Sequence, residues 1–225
     1  MFIGIGNSIP EIANLPGSSR PGGGGGGAFE YTAIDNNFSM EFDGVASYFD
    51  LATDSSLDIF GSDFSASLWF KTNDTATASG LIQIGSFTNR VFAITKGNAA
   101  DKIGFVYGIN SWYYNIGSGL NDSNWHHVVL VRDTGTYTIY IDKVPYTSFT
   151  GPGTYNTGGY NSIGRGLTTP QYFNGYLDEI ALFNNAISEN TVNAIYDITA
   201  NNPGKVADLN ETPEGAPTAW YRMGD

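Results

Sequence analysis

Apolar side chains return at every second position through much of this chain. Phe64-Ser65-Ala66-Ser67-Leu68-Trp69-Phe70-Lys71 sets Phe64, Ala66, Leu68 and Phe70 on one face, and Tyr137–Asp142 does the same with Tyr137, Ile139 and Ile141. A repeat of two is the period of an extended strand; a helix cannot gather such positions on one side. The same reading marks strands at 39–43, 46–51, 80–85, 90–95, 102–107, 111–115, 125–132, 160–164 and 175–183. Clusters of Asn, Gly, Asp and Ser separate them, and Asp133-Thr134-Gly135 reads as a hairpin turn between two strong strands. Only 14% of the residues are charged, against 29 glycines and 14 each of Tyr and Phe, which again favours strands and tight turns. Many short strands at this spacing predict an all-β sandwich or barrel. One helix is expected, capped by Ser188, with Val192, Ile195 and Tyr196 at helical spacing.

Charge and composition exclude several classes of function. A formal net charge of −12 repels phosphate backbones, so nucleic acid is not expected as a partner. With no cysteine, neither a disulfide framework nor a thiolate zinc site can form. No apolar run is long enough for a membrane-spanning helix. The opening Met1-Phe2-Ile3-Gly4-Ile5-Gly6 has neither a basic region nor a sustained apolar stretch, so a secretory leader is not expected there.

Four segments together resemble the laminin-G-like branch of the concanavalin A-like lectin/glucanase superfamily. They are Phe42-Asp43-Gly44 with Tyr48-Phe49-Asp50-Leu51; Phe64–Lys71; Trp125-His126-His127-Val128 leading through Arg132 to Tyr137–Lys143; and Asn161-Ser162-Ile163-Gly164-Arg165 with Phe173–Ile180 and Asn185-Ala186-Ile187-Ser188. Their order and spacing extend over about 160 residues of the chain. The resemblance implies a two-sheet antiparallel jellyroll sandwich whose 39–43 and 176–183 strands are neighbours. It also implies a structural calcium ion where the first and last strands meet, with Asp43 and Asp178 at the matching positions. Against that stand two simpler roles: Asp43 forming a turn beside Gly44, and Asp178 pairing with a basic residue or capping a loop.

The fold does not fix the chemistry. Retaining glycosidases need two carboxyl groups about 5–5.5 Å apart. Laminarinase-like relatives supply them from one strand as Glu-x-Asp-x-(x)-Glu, a pattern that no segment here matches. Asp178-Glu179 is the closest acidic pair, and adjacent residues of a regular strand point to opposite faces. The two histidines, His126 and His127, read as packed rings with one hydrogen bond each. An enzyme is therefore not expected. For glycan binding, exposed aromatics with neighbouring amides are the usual platform. The candidates for glycan or subunit contact are Trp112, Tyr114, Tyr155, Tyr160 and Tyr172, with Asn156, Asn161 and Asn174 as hydrogen-bonding partners.

The chain divides into residues 1–27, 28–200 and 201–225. In the first part Phe2, Ile3, Ile5, Ile9, Ile12 and Leu15 are spread among Gly, Pro, Asn and Ser, and the run Gly22–Gly27 closes it as a hinge. The expectation is a virion-surface structural protein, a capsid decoration or fibre module of bacteriophage type. Those apolar residues would anchor it to other virion proteins, and the sandwich would bind surface polysaccharide. Homo-oligomers formed through sheet edges are compatible with this. The rival readings are a bacterial cell-surface lectin or adhesin module and, last, a glycoside hydrolase domain. The final segment, ending Ala219-Trp220-Tyr221-Arg222-Met223-Gly224-Asp225, either packs back on the sandwich or opens a following domain.

Overall fold

The computed structural model describes residues 31–51, 57, 62–85, 90–107, 111–151, 161–166 and 171–224. In chain order the elements are β1 (Ala33–Asp35), β2 (Met40–Asp43), β3 (Phe49–Leu51), β4 (Phe64–Lys71), β5 (Gly80–Gly85), β6 (Arg90–Lys96), β7 (Ile103–Tyr107) and β8 (Ser111–Ile116). They continue as β9 (Trp125–Asp133), β10 (Thr136–Ile141), β11 (Val144–Thr150), β12 (Asn161–Ile163), β13 (Asn174–Phe183), α1 (Glu189–Asn201), β14 (Lys205–Ala207) and β15 (Ala219–Tyr221).

Two antiparallel sheets lie face to face. One has the order β11-β10-β9-β4-β13, with β2 and β15 end to end along the far edge of β13; the other runs β3-β12-β5-β6-β7-β8. The alternation read from sequence places the core: Phe64, Ala66, Leu68 and Phe70 of β4, and Tyr137, Ile139 and Ile141 of β10, all face the second sheet. The expected neighbours are paired, with Met40–Asp43 against Asn174–Leu177. The turn at Thr134-Gly135 has positive φ at both residues, as does Asp142-Lys143 in the next hairpin, the geometry that matches strand twist.

The central strands of the first sheet, β4, β9 and β13, are buried on both faces, which alternation alone does not reveal. Its outer face is roofed by α1, whose Val192 and Ile195 pack on Val129, Val131, Ala181 and Phe183. Beside the helix, the β1–β14 ribbon sets Val206 and Ile34 against Trp69 and Trp125. Ser188 caps α1 as expected, its hydroxyl accepting the Thr191 amide. Tyr196 stacks on Trp69 with ring centroids 5.7 Å apart.

The last segment packs back on the sandwich. Lys205–Ala207 pairs with β1, and Ala219–Leu182 registers begin a short ladder between β15 and β13. Between the stretches that pair with β2 and β15, β13 carries a bulge over Asp178–Ala181, with Glu179 at φ 47°. Glu179 is 3% exposed, and its carboxylate accepts the indole N–H of Trp220 at 2.7 Å and the Arg222 Nε–H at 3.3 Å. A buried carboxylate that loses a donor is destabilising by about 1.5–3 kcal/mol. Trp220→Phe is therefore expected to lower the unfolding free energy by about that amount in urea titration; unchanged stability would show that Glu179 does not depend on the indole.

Candidate functional site

The site begins with the Phe42-Asp43-Gly44 turn. The Asp43 Oδ1 accepts the backbone N–H groups of Val45, Ala46 and Ser47 at 2.8, 2.9 and 2.9 Å. Those bonds, to Ala46, Ser47 and Val45, hold its carboxyl well below the usual carboxylate range. Gly44, at φ +70°, lies so close to Asn174 that a Cβ there would be 2.8 Å from the Asn174 Cβ. Only glycine permits this approach. The turn hands the chain through Tyr48 to β3, and Phe49 and Leu51 pack on the inner core while Tyr48, just before the strand, and Asp50 face outward.

A second loop meets the first. The Phe173 amide bonds to the Gly164 carbonyl, and the Gly44 amide bonds to the Phe173 carbonyl, each at 2.9 Å. Arg165 and Tyr172 face each other as an isolated antiparallel bridge. Gly164, at φ +81°, leaves room for the Phe42 ring, whose Cε1 would be 2.2 Å from an added Cβ.

These two loops bring four side chains to the edge of the second sheet. The Arg165 guanidinium lies over the Tyr48 ring at 3.8 Å from its centroid, and its Nη2–H donates to Asp50 Oδ1 at 3.0 Å. Tyr48 and Tyr172 rings stand 6.0 Å apart with an interplanar angle of 39°. Tyr48 is 36% exposed and the Asp50 side chain 65% exposed. The patch thus gathers an exposed ring and an exposed carboxylate, with the half-buried Tyr172 ring and the largely covered Arg165 guanidinium beside them. Stacking of ring faces on apolar faces, with flanking hydrogen bonds, is the chemistry of sugar recognition.

Among the expected contact residues, only Tyr172 is thus placed in a defined surface cluster. Tyr155, Tyr160 and Asn156 lie outside the described residues, as do Phe2, Ile3, Ile5, Ile9, Ile12 and Leu15. Trp112 and Tyr114 lie on β8, where the register sets Trp112 opposite Val106, and their side chains are outside the described set. Asn161 is buried and accepts the Gly85 amide through its side chain. Asn174 backs the Gly44 turn. Sequence reasoning passed over Tyr48, Asp50 and Arg165 as binding residues. All three lie in the segments that carry the family resemblance, and Tyr48 and Asp50 follow from the alternation of β3.

Asp43 and Asp178, expected to share a calcium ion, are not brought together. Asp43 is in register with Asn174, four positions along β13 from Asp178, a separation of ~13 Å at ~3.3 Å per residue. One ion, with ligands at about 2.3–2.6 Å, cannot take both carboxylates. Asp43 instead forms the turn, and Asp178, 1% exposed, accepts the Asn36 side-chain amide at 3.0 Å and the Glu179 amide at 2.8 Å. Among the described residues no group of three His, Asp or Glu side chains could hold a metal ion. The expectation that Asp178 and Glu179 point to opposite faces is also corrected. The bulge puts Leu177 and Ile180, three apart, on the inner core, and turns both carboxylates to the outer layer, toward Asn36 and Trp220. Both are buried in these bonds, which leaves neither facing a substrate.

The histidines differ sharply. His127 is buried against Trp69, stacked at 4.7 Å, with Tyr196 6.4 Å away and its own Nε2 2.8 Å from the Ser67 hydroxyl. Burial lowers its pKa to about 4, outweighing the Asp142 field. At His126 burial also opposes charge, but bonds to Asp142 (2.8 Å) and Asp122 (3.1 Å) outweigh it and raise the pKa above its ordinary value.

The chain belongs to the lectin-like β-sandwiches. A laminin-G model of the concanavalin A-like lectin/glucanases superfamily matches residues 43–193, and the chain is a member of that superfamily. A Bacteroides ovatus protein provisionally described as carbohydrate-binding superposes with a TM-score of 0.60 at 16% identity, over 86% of this chain and 52% of that one. The Ruminococcus gnavus IT-sialidase CBM40, solved bound to α2,3-sialyllactose, gives 0.58 at 13%, over 70% of this chain and 96% of that one. The binding domain of botulinum neurotoxin DC, in complex with rat synaptotagmin II, gives 0.56 at 13%, over 76% and 46%. The chain thus spans about half the length of the first and third. At these identities the likeness is one of fold. No curated protein sequence matches the chain.

The histidine pair yields a pH prediction. Unfolded histidine takes its proton near pH 6.5. Folded His127 refuses it until about pH 4, so its contribution to stability is complete above pH 6.5 and is lost as the pH falls toward 4. His126 acts in the opposite sense: its contribution is present below pH 6.5 and lost as the pH rises through its raised value. With two histidines in the chain, ring resonances in an NMR titration should show one titrating above pH 6.5 and one near pH 4. Two midpoints near 6.5 would contradict the arrangement.

Proposed function

We propose that this chain is a non-catalytic glycan-binding module whose binding surface is the Tyr48–Tyr172 patch with Arg165 and Asp50. The observation that carries the reading is the exposed Tyr48 ring with the half-buried Tyr172 ring 6.0 Å away and, beside them, the Arg165–Asp50 pair, whose carboxylate faces solvent. Superfamily membership supports it, and so do the two neighbours whose descriptions name carbohydrate. The buried state of Asp178 and Glu179 argues against their use as a hydrolytic pair.

The setting we propose is a virion surface, with residues 1–20 as the anchoring peptide and Gly22–Gly27 as the hinge. The composition of that stretch supports it: isolated Ile, Phe and Leu residues among Gly and Pro cannot build a core, yet can lie along a partner protein. Deleting residues 2–20 is expected to leave glycan binding intact and to abolish incorporation into the particle. Incorporation without the peptide would place the anchor elsewhere in the chain, while absence of the full chain from particles would favour a free lectin or surface adhesin.

Binding is tested on a glycan array with the full chain. Tyr48→Ala and Tyr172→Ala should each weaken binding about tenfold, in line with ~1–2 kcal/mol of stacking, with melting temperatures close to wild type. Wild-type binding in both variants would place recognition elsewhere.

A further inference from the structure

Resting on that glycan-binding reading, we infer that the Tyr48–Tyr172 patch takes a neutral glycan and disfavours acidic sugars, unlike the sialyllactose-bound CBM40 that shares the fold. The charge around the patch carries the argument. An anionic ligand needs cationic groups that are not already matched by protein carboxylates. Among the described basic side chains, seven lie within 4 Å of a carboxylate, and the remaining one, Lys71, sits over the Tyr176 ring. At the patch itself Arg165 is matched by Asp50, and Asp43 lies in the adjoining turn. Among the described residues the local sum is one positive charge against two negative, on a chain of net charge −12. A sugar carboxylate approaching Arg165 therefore meets the exposed Asp50 at the same distance scale, and the two negative charges repel.

The same pair suits a sugar diol. One hydroxyl can donate to the Asp50 carboxylate while its neighbour accepts from an Arg165 N–H, and the apolar C–H face of the ring lies on Tyr48 or Tyr172. Asp50 is then a specificity-determining acceptor as well as the partner that orients Arg165. Such binding changes no net charge, so salt screens little of it.

The test is an array that carries each neutral oligosaccharide beside its sialylated and uronate-bearing forms, probed with the full chain at about 20 mM and about 500 mM NaCl. The expected result is selective binding of neutral glycans, an affinity that changes less than about twofold between the two salts, and a loss of about tenfold in Asp50→Asn. Preference for the acidic forms, with affinity that falls with salt and rises in Asp50→Asn, overturns the neutral-ligand inference and leaves the glycan-binding reading standing. Binding of no glycan of either class overturns both.

Discussion

Strand β13 has more to satisfy than any other segment of this sandwich. It lies beside β4 on one edge and serves β2 and then β15 on the other, and it does so with one extra residue in the middle. The bulge at Asp178–Ala181, in the pairing with β4, falls between the stretch that meets β2 and the stretch that meets β15. Two carboxylates are buried there. They are held by Asn36 from the first segment of the domain and by Trp220 and Arg222 from the last. The two ends of the domain are thereby tied to its middle by charge-assisted hydrogen bonds rather than by apolar contact alone.

From that strand the route to the surface patch is short. The start of β13 fixes β2, and β2 ends in the Asp43 turn, whose carboxylate gathers three amides and sets the direction of the chain into Tyr48. The loop that enters β13 carries Arg165 and Tyr172 to the same place, with Phe42 filling the space that Gly164 leaves open. Phe42 also meets Phe49 edge-on at 6.0 Å and Phe173 at 6.2 Å, so one buried ring supports both loops from beneath. The residues that recur as fold signatures are here the ones that position the exposed rings. Asp43 and Gly164 are positioning residues in this sense, while Tyr48, Tyr172, Asp50 and Arg165 are the residues we propose to meet the ligand.

The long strands were legible because burial on one face leaves a period of two. β4 and β10 face the core as their alternation requires, and α1 begins at the serine that caps it. The three-residue strands β1, β14 and β15 carry too few positions for any period to show, and Pro145 interrupts the pattern of β11. Nor does alternation register that Ser65 and Ser67, polar and apparently outward, are buried: the first bonds to the Asn185 carbonyl, the second to His127. The bulge in β13 was missed as well, although Leu177 and Ile180, three apart, break the period of two, and with it went the true facing of Asp178 and Glu179. At the site, Tyr172 was recognisable as a loop aromatic. Arg165 was not, because its role comes from a contact with Tyr48 made across more than a hundred residues of chain.

The central claim is that sugar is recognised on the ring pair at the β3 edge. It is tested most directly by a crystal structure of the full chain with the tightest-binding oligosaccharide from the array. The account predicts a sugar ring lying on Tyr48 or Tyr172, with adjacent hydroxyls shared between Asp50 and Arg165. A sugar seated on another face of the sandwich, with Tyr48 and Tyr172 bare, would contradict it.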